Sequence, residues 1–227
     1  MKSIYLCLGA GFLALCGPAV LPGQEIITAE RYLAMVSERY TGIRDYEARI
    51  TIRSGGGTMY GTVSHLVPSF LRIDFATPAD QVIVFNGEAL TIYLPEYRAV
   101  LNQSVAGGRT GASMATSQGL SLLRRNYVPS YVTGPAPQPM DEGSGELVVK
   151  LRLTRISASE GYRELVLHIL PESRLIRRIE GWTIAGAHVR FDFAQIQINQ
   201  GIPATRFIYD SPASANLYNN FLFRDTD

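Results

Sequence analysis

The residue types that carry most enzyme chemistry occur in this sequence without the spacing that a reaction needs. Serines such as Ser113 and Ser121 lie in a stretch rich in Gly, Ser and Thr, with no Gly-x-Ser-x-Gly motif to present a nucleophile. Asp141 and Glu142 fall in what reads as a solvated turn, whereas acid–base catalysis uses desolvated, converging groups. We therefore expect no catalytic residues and no enzymatic activity.

Neither a nucleotide nor a metal ion has a recognisable site. The Gly-rich run at residues 107–111 lacks the Lys-Ser/Thr ending of a P-loop and follows no parallel-strand pattern. The three histidines, His65, His168 and His188, have no second ligand at metal-binding spacing. Each falls on a predicted strand, where we expect an outward-facing polar position. We predict that the protein works without a cofactor or a metal ion.

The amino terminus has the anatomy of an export signal. One cationic residue, Lys2, precedes an apolar run at residues 4–15 that is too short to span a bilayer. Small residues that suit a signal peptidase follow, and we predict cleavage after Ala19 or Gly23. Residues 1–23 would then be a signal peptide, and residues 24–227 a single domain located in the periplasm.

Both cysteines, Cys7 and Cys16, lie inside this segment. Cleavage at the predicted sites would leave no thiol for a disulfide or for a metal site. The alternative is that Cys16 becomes a lipidated first residue, since residues 13–16 loosely resemble a lipobox. Leu15 is large where that motif has a small residue, which favours cleavage beyond Cys16.

The charge balance excludes one class of partner. The chain has 21 Lys and Arg against 20 Asp and Glu, and loss of Lys2 with the signal peptide leaves it formally neutral. A neutral chain lacks the basic excess that phosphates attract, so we expect no nucleic-acid partner.

Hydrophobic periodicity changes once near the start of the domain. Between residues 28 and 40, apolar side chains recur at helical spacing and Thr28 can cap the first turn, which predicts an amphipathic helix. Beyond Gly42 the period becomes two, so that Tyr46 and Ile50 share an apolar face and Arg49 lies on a wet face. This alternation predicts a strand with one buried face.

Further short runs continue the strand pattern, separated by turn signals such as Asn86-Gly87. Together they predict about eleven strands, at 46–52, 58–66, 70–76, 82–86, 90–94, 97–101, 147–154, 163–170, 175–184, 187–195 and 205–209. Residues 105–119 read as a mobile insert with a short helix at 120–125, and residues 135–145 as an exposed loop. The predicted fold class is mainly β, an antiparallel meander with a few helices.

Aromatic and long aliphatic residues are numerous on a sheet that has few helices to cover it. One interpretation is an ordinary sandwich core. The other is a strongly curved meander whose concave apolar surface is filled by a lid or by a ligand. Composition alone puts the two at even odds.

Three stretches carry a resemblance to a known family. Residues 60–74 form a hairpin pattern in which Gly61 belongs to Gly-x-hydrophobic and Pro68 to x-Pro-x-x-hydrophobic. Residues 82–93 form a hairpin pattern around Asn-Gly, and residues 202–212 contain a closing Phe-x-Tyr run. These stretches resemble the outer-membrane lipoprotein carrier family (LolA-like). The resemblance covers about residues 26–215.

The resemblance implies an open, incomplete antiparallel β-barrel capped by the N-terminal amphipathic helix and the short helical insert. It implies an apolar cavity that receives the acyl chains of lipoproteins, loaded by an inner-membrane lipoprotein-releasing ABC transporter and emptied at an outer-membrane acceptor. We expect a monomer. Two features depart from the family. Members of the family have an arginine that controls the lid just before the hairpin proline, and this chain has Val67 there. Residues 214–227 match no part of the family pattern, and we expect them to form either an extra strand or a loose tail.

The apolar positions of the helix, the meander and the insert are the candidate ligand-binding residues. They are Leu33, Val36, Tyr46, Ile50, Ile73, Phe75, Ile92, Leu120, Leu123, Leu165, Leu167, Phe191 and Phe193. An alternative hypothesis keeps the fold and changes the role, to a periplasmic or membrane-tethered module that binds or senses a lipid.

Overall fold

The structure is a computed structural model that describes residues 27–104, 114–158 and 160–221. The predicted signal peptide and residues 105–113 of the predicted insert lie outside the described residues. The regular elements are α1 Ala29–Thr41, β1 Asp45–Ser54, β2 Gly57–Leu66, β3 Phe70–Thr77, β4 Val82–Phe85, β5 Ala89–Leu94, β6 Ala99–Ser104, α2 Ser117–Asn126, β7 Tyr127–Tyr131, β8 Gln138–Pro139, β9 Leu147–Arg155, β10 Tyr162–Ile169, β11 Ile176–Thr183, β12 His188–Ile198 and β13 Asn216–Asn219.

The strands form one large sheet in which sequence neighbours mostly pair. Strands β1 to β6 follow one another as a meander, β9 to β12 form a second meander, and antiparallel pairing of β1 with β12 joins the two halves. The ends of the main strand path are β13 and β7, which do not pair with each other, so the sheet curls without closing. The predicted open, mainly β architecture with a helical cap is confirmed.

Helix α1 begins where the sequence predicts, whereas α2 begins at Ser117, earlier than the predicted helix at 120–125. The two helices pack together over one part of the sheet. The side-chain oxygen of Thr28 accepts a hydrogen bond from the Arg31 amide and caps α1. Thr116 caps α2 in the same way through the Gly119 amide, at 3.1 Å. Helix α2 contacts α1 and β7, so the two helices cover the β7 side of the sheet.

Irregular strand pairings bend the sheet, and two of them involve β1 and β2. The register of β1 against β12 shifts between Glu47 and Arg49, opposite Gln195, which has a left-handed backbone with φ of 52°. A second shift follows Tyr60 on β2, where β3 comes so close that a Cβ on Gly61 would collide with the Asp74 carbonyl oxygen. Bulges increase local twist and bending, so these two sites help to make one face of the sheet concave.

The alternation predicted for β1 is confirmed. Ala48, Ile50 and Ile52 are buried on the concave face, while Arg49 is exposed on the other. On β9 the pattern holds from Val149 to Thr154 but fails at its start, where Leu147 is 48% exposed.

The C-terminal part of the chain departs from the prediction of a strand at residues 205–209. Ala204–Phe207 is instead a 3-10 helix, with Phe207 buried in a small apolar cluster against the outer face of β4. The Arg72 guanidinium donates to the carbonyl oxygens of Arg206 and Ile208. These carbonyls therefore find a side-chain partner, and the segment packs across the sheet as a cover.

Two edge strands lie outside the eleven predicted strand ranges, and the extra strand in the tail is one of the two alternatives that the sequence left open. β7 contains Pro129 and pairs only with β9, which suits an edge because proline cannot donate to a second neighbour. The tail does pack as an extra strand: β13 runs parallel to β6, and the Asn216 amide donates to the Arg98 carbonyl at 2.7 Å. Residues 222–227 of the tail lie outside the described residues.

The loop before β9 is fastened to the outer face by an ion-pair cluster. Most of residues 135–145 are exposed, as predicted, but Met140 is buried. Met140 is 6% exposed, and Asp141 accepts two hydrogen bonds from the buried Arg178. Arg178 also donates to Asp192, which in turn accepts from Arg53 and Arg190. The neighbouring guanidiniums hold the pKa of Asp141 down at about 2.

Replacing Arg178 should therefore be costly. We expect Arg178→Ala to lower the free energy of unfolding by about 3 kcal/mol. The substitution removes one cationic partner from the carboxylate of Asp192, whose side chain is only 11% exposed and cannot reach water freely. Urea denaturation measures this loss. Arg152→Ala is the matched control, since Arg152 is 46% exposed and paired with Glu164 at 3.4 Å, and it should change stability by less than about 1 kcal/mol. Equal losses in the two variants would contradict this role of Arg178.

Candidate functional site

The concave face collects nearly all of the predicted ligand-binding residues in one apolar cluster. Leu33 and Val36 of α1 are 1% and 0% exposed, and Leu120 and Leu123 of α2 are 0% and 5% exposed. The cluster also contains these predicted residues from the sheet: Tyr46, Ile50, Ile73, Phe75, Leu165, Leu167 and Phe193, with Phe191 half-buried against it. The helices and the sheet thus bury one continuous apolar surface.

Ile92 is the exception. It lies on β5, whose residues are all half-buried, and it belongs to neither apolar cluster of the described residues. Its neighbour in the register, Ile83 on β4, does pack against the main cluster. The two helices pack near β7, so the main core does not reach as far as Ile92.

An apolar cavity of about 150 Å³ lies within this cluster. Its walls come from both halves of the sheet and from the chain just before α2. They are Ile50, Ile52, Val63, Ile73, Ile83, Met114, Ala115, Ile179, Phe191 and Phe193. Because nearly every wall atom is apolar, the cavity suits a hydrocarbon and offers little to a polar solute.

Six of these lining residues were missing from the predicted set. Ile52 continues the alternation that identified Ile50, so the sequence carried a signal for it. Val63 lies on β2 directly opposite Ala48, which follows from the hairpin register. Met114 and Ala115 lie in the Gly/Ser/Thr-rich stretch, where no periodicity marks a buried residue. Their role depends on how the insert crosses the sheet.

The size of the cavity limits what it can hold in this conformation. An apolar cavity of about 150 Å³ can hold a molecule as small as benzene, whereas sites for larger organic ligands typically enclose about 300–1,000 Å³. A long acyl chain therefore requires the apolar cluster to open. Met114, Ala115 and α2 are best placed to move, because they pack on the sheet and do not pair with its strands.

One end of the concave face is polar. Tyr46 and His65 are direct partners across β1 and β2, and their rings stack with centroids 5.3 Å apart. Both residues are 4% exposed. The prediction that His65 faces outward is wrong, since it lies on the buried face. His168 does lie on the outer face, where its Nε2 contacts Glu180 at 2.9 Å, and the exposed His188 contacts the same carboxylate at 3.1 Å.

The outer face has a larger, polar cavity of about 640 Å³. Asp141 and Asp192 line it, together with arginines that include Arg178 and Arg190. These charges pair mainly with one another, as the ion-pair cluster at the loop shows. These ion pairs hold the loop before β9 against the sheet. We therefore assign the candidate binding site to the apolar face.

In the described parts of the chain, no group of three His, Cys, Asp or Glu residues is arranged to hold a metal ion. None of the helices among those residues is both long and apolar enough to cross a bilayer.

Known proteins share this fold. An uncharacterised conserved protein from Thermus thermophilus matches with a TM-score of 0.54 at 13% identity, over 82% of this chain and 98% of that one. A chain of the Pseudomonas aeruginosa MucA/MucB complex matches with a TM-score of 0.50 at 17% identity, over 83% of this chain and 62% of that one. At such identities the likeness concerns the fold alone. No protein-family model matches the chain.

One curated protein also resembles the chain in sequence. The chain is 25% identical over 158 residues to the outer-membrane lipoprotein carrier protein of Dechloromonas aromatica (strain RCB), covering 69% of this chain and 70% of that protein. The chain is LolA-like. The resemblance drawn from the hairpin motifs is confirmed.

The apolar cavity of this LolA-like chain can be tested by filling it. Ala115 is 4% exposed and lines the cavity, so Ala115→Leu should place its added carbons there. We expect unchanged or slightly higher stability and at least a tenfold loss of benzene binding, followed by NMR titration. Ala194→Leu, which faces the outer polar cavity, is the control and should bind benzene normally. Normal binding by Ala115→Leu would show that benzene binds elsewhere.

Proposed function

We propose that the protein is a periplasmic carrier that holds the acyl chains of lipoproteins between the two membranes of its cell. The observation that carries the proposal is the apolar cavity between the concave sheet and the segment leading into α2. The match to a lipoprotein carrier of D. aromatica supports it. No chemical step is needed, because the work of a carrier is binding and release.

Magnitudes decide whether an acyl chain can displace the helical cover. Exposing the buried side chains of Leu120 and Leu123 costs about 1.5–3 kcal/mol each. Each acyl CH₂ that replaces them recovers about 0.8 kcal/mol. The exchange therefore breaks even at roughly four to eight methylene groups, and a longer chain favours the open, loaded form.

The same exchange accounts for release. A carrier that buried every methylene in a rigid, complementary pocket would hold its cargo too tightly to give it up. Here the cover of α2 competes with the acyl chains for the same apolar surface, which lowers the net affinity. An acceptor with a better-fitting site can then take the cargo.

The cellular setting of the proposal follows the sequence. Residues 1–23 would direct export and be removed after Ala19 or Gly23, leaving one domain of residues 24–227. Loading would take place at an inner-membrane lipoprotein-releasing ABC transporter and unloading at an outer-membrane acceptor. With Val67 in place of the family arginine, control of the cover would rest on apolar packing instead of on a charged tie.

The alternative role is a lipid-binding or sensing module tethered through a lipidated Cys16. A tethered protein cannot cross the periplasm, so the mature amino terminus separates the two roles. Intact-mass measurement of the protein purified from its envelope should give a chain beginning at Val20 or Gln24. A chain beginning at an acylated Cys16 would favour the tethered module.

Carrier activity predicts that the protein extracts an acylated peptide from a membrane. Vesicles containing a fluorescent triacylated cysteine peptide are incubated with residues 24–227 and then removed by centrifugation. We expect the peptide to remain in the supernatant at one copy per protein, with Ala115→Leu giving at least a fivefold lower yield and Ala194→Leu giving the wild-type yield. Peptide that stays wholly with the vesicles would contradict the carrier function.

The energy balance also predicts a threshold in chain length. Calorimetric titration with acylated cysteine peptides of increasing chain length should show almost no binding up to about eight methylenes. Beyond that length, affinity should rise roughly fourfold per methylene. A constant gain starting from the shortest chains would instead indicate a preformed cavity that needs no displacement of α2.

A further inference from the structure

Tyr46 and His65 form a polar spot inside an otherwise apolar face. They face each other across β1 and β2 at the end of the strands where β1 begins, with ring planes 14° apart. Leu71 of β3 is the other register partner of His65 and belongs to the apolar cluster. Two polar side chains are therefore buried where aliphatic residues would pack without cost.

The polar atoms of this pair have no hydrogen-bond partner among the described residues. The Tyr46 hydroxyl and both ring nitrogens of His65 are buried, and no described residue lies in hydrogen-bonding position to any of them. Leaving such atoms unpaired is costly, and most buried polar groups in folded proteins are satisfied. Tyr40, which lines the same small cavity as Tyr46, has its hydroxyl satisfied by the Ile176 amide at 3.0 Å.

The pair lies near the apolar cavity: His65 is the next inward position on β2 after Val63, which lines that cavity. Along the concave face of β1 the inward residues are Tyr46, Ala48 and Ile50, and neighbouring inward positions are about 7 Å apart. Ala115 and Phe193 line both the small cavity beside Tyr46 and the 150 Å³ cavity beside Ile50. A chain lying in the apolar cavity could therefore place a polar end group at Tyr46 and His65.

The chemistry of the pair selects the kind of group it can bind. Burial lowers the pKa of His65 to about 4, so the imidazole is neutral and offers one N–H donor and one acceptor. Burial raises the pKa of Tyr46, which keeps its hydroxyl protonated as a second donor. Two donors suit carbonyl oxygens, and the acceptor suits an amide N–H. A plain hydrocarbon chain would leave all of these atoms unpaired.

We propose that Tyr46 and His65 bind the carbonyl groups through which acyl chains are linked to the cargo, so that the protein selects ester- or amide-linked chains over hydrocarbon alone. This inference rests on the proposed function, since it assigns a polar contact to the same cargo. It predicts a selectivity that apolar burial cannot supply.

The test uses two ligands that differ only in their carbonyls, dipalmitoylglycerol with ester links and dihexadecylglycerol with ether links. Binding is measured by displacement of an apolar fluorescent dye from residues 24–227. One net hydrogen bond of about 1 kcal/mol corresponds to roughly a fivefold change in affinity, so the wild type should prefer the ester at least fivefold.

Three variants locate the selectivity. Tyr46→Phe removes only the hydroxyl, and it should abolish most of the ester preference while leaving the denaturation midpoint unchanged or higher. His65→Phe should reduce the preference too, and His65→Gln, which keeps a donor and an acceptor, should restore part of it. Tyr40→Phe is the control: it should lower the midpoint, because it loses the bond from Ile176, and keep the full ester preference.

Each result decides between the two proposals. Binding of both ligands with equal affinity by the wild type would overturn the carbonyl contact and leave the carrier function standing. An ester preference that survives in Tyr46→Phe, with a lowered midpoint, would overturn it too, because the hydroxyl would then serve the fold. Binding of neither ligand would overturn the carrier function and the carbonyl contact with it.

Discussion

A sheet that curls without closing has an apolar concave face that the sheet alone cannot bury. In this chain the face is covered by α1, by α2 and by the segment holding Met114 and Ala115, yet a cavity of about 150 Å³ remains. How this cover is attached decides whether a ligand can reach the apolar face. Because α2 rests on apolar contacts from side chains such as Leu120, a competing hydrocarbon can replace it without breaking a strand or an ion pair.

The outer face is held together partly by ion pairs, whereas the cover of the concave face rests on apolar contacts. On that face Arg178 donates hydrogen bonds to Asp141 and so holds the loop before β9 in place. The 3-10 helix that contains Phe207 packs against β4 on the same face. Charge pairs have fixed geometry and resist replacement by apolar groups, so this face stiffens the sheet. In the proposed carrier role, the concave side is where the protein would exchange its own apolar contacts for the acyl chains of its cargo.

The sequence predicted the elements better than their junctions. Alternation on β1 and the Thr28 cap of α1 are local signals, so this strand, its buried face and the start of α1 were readable. Helix α2 begins at Ser117, before the predicted helix at 120–125. The cavity wall at Ala115 depends on how distant segments meet, which no local period records. The inward position of His65 does follow from alternation on β2, since it lies two residues after the buried Val63, but its polar side chain suggested the outer face. The run at residues 205–209 alternates like a strand, but its carbonyls are taken by Arg72, a partner that only the tertiary structure reveals.

The central claim is that acyl chains occupy the concave face in place of the helical cover. Native mass spectrometry of the protein, purified without detergent from the envelope in which it is made, tests this most directly. The account predicts a population carrying the added mass of an acylated polypeptide, at one copy per protein. Protein found only at its own mass, or carrying ligands without acyl chains, would contradict it.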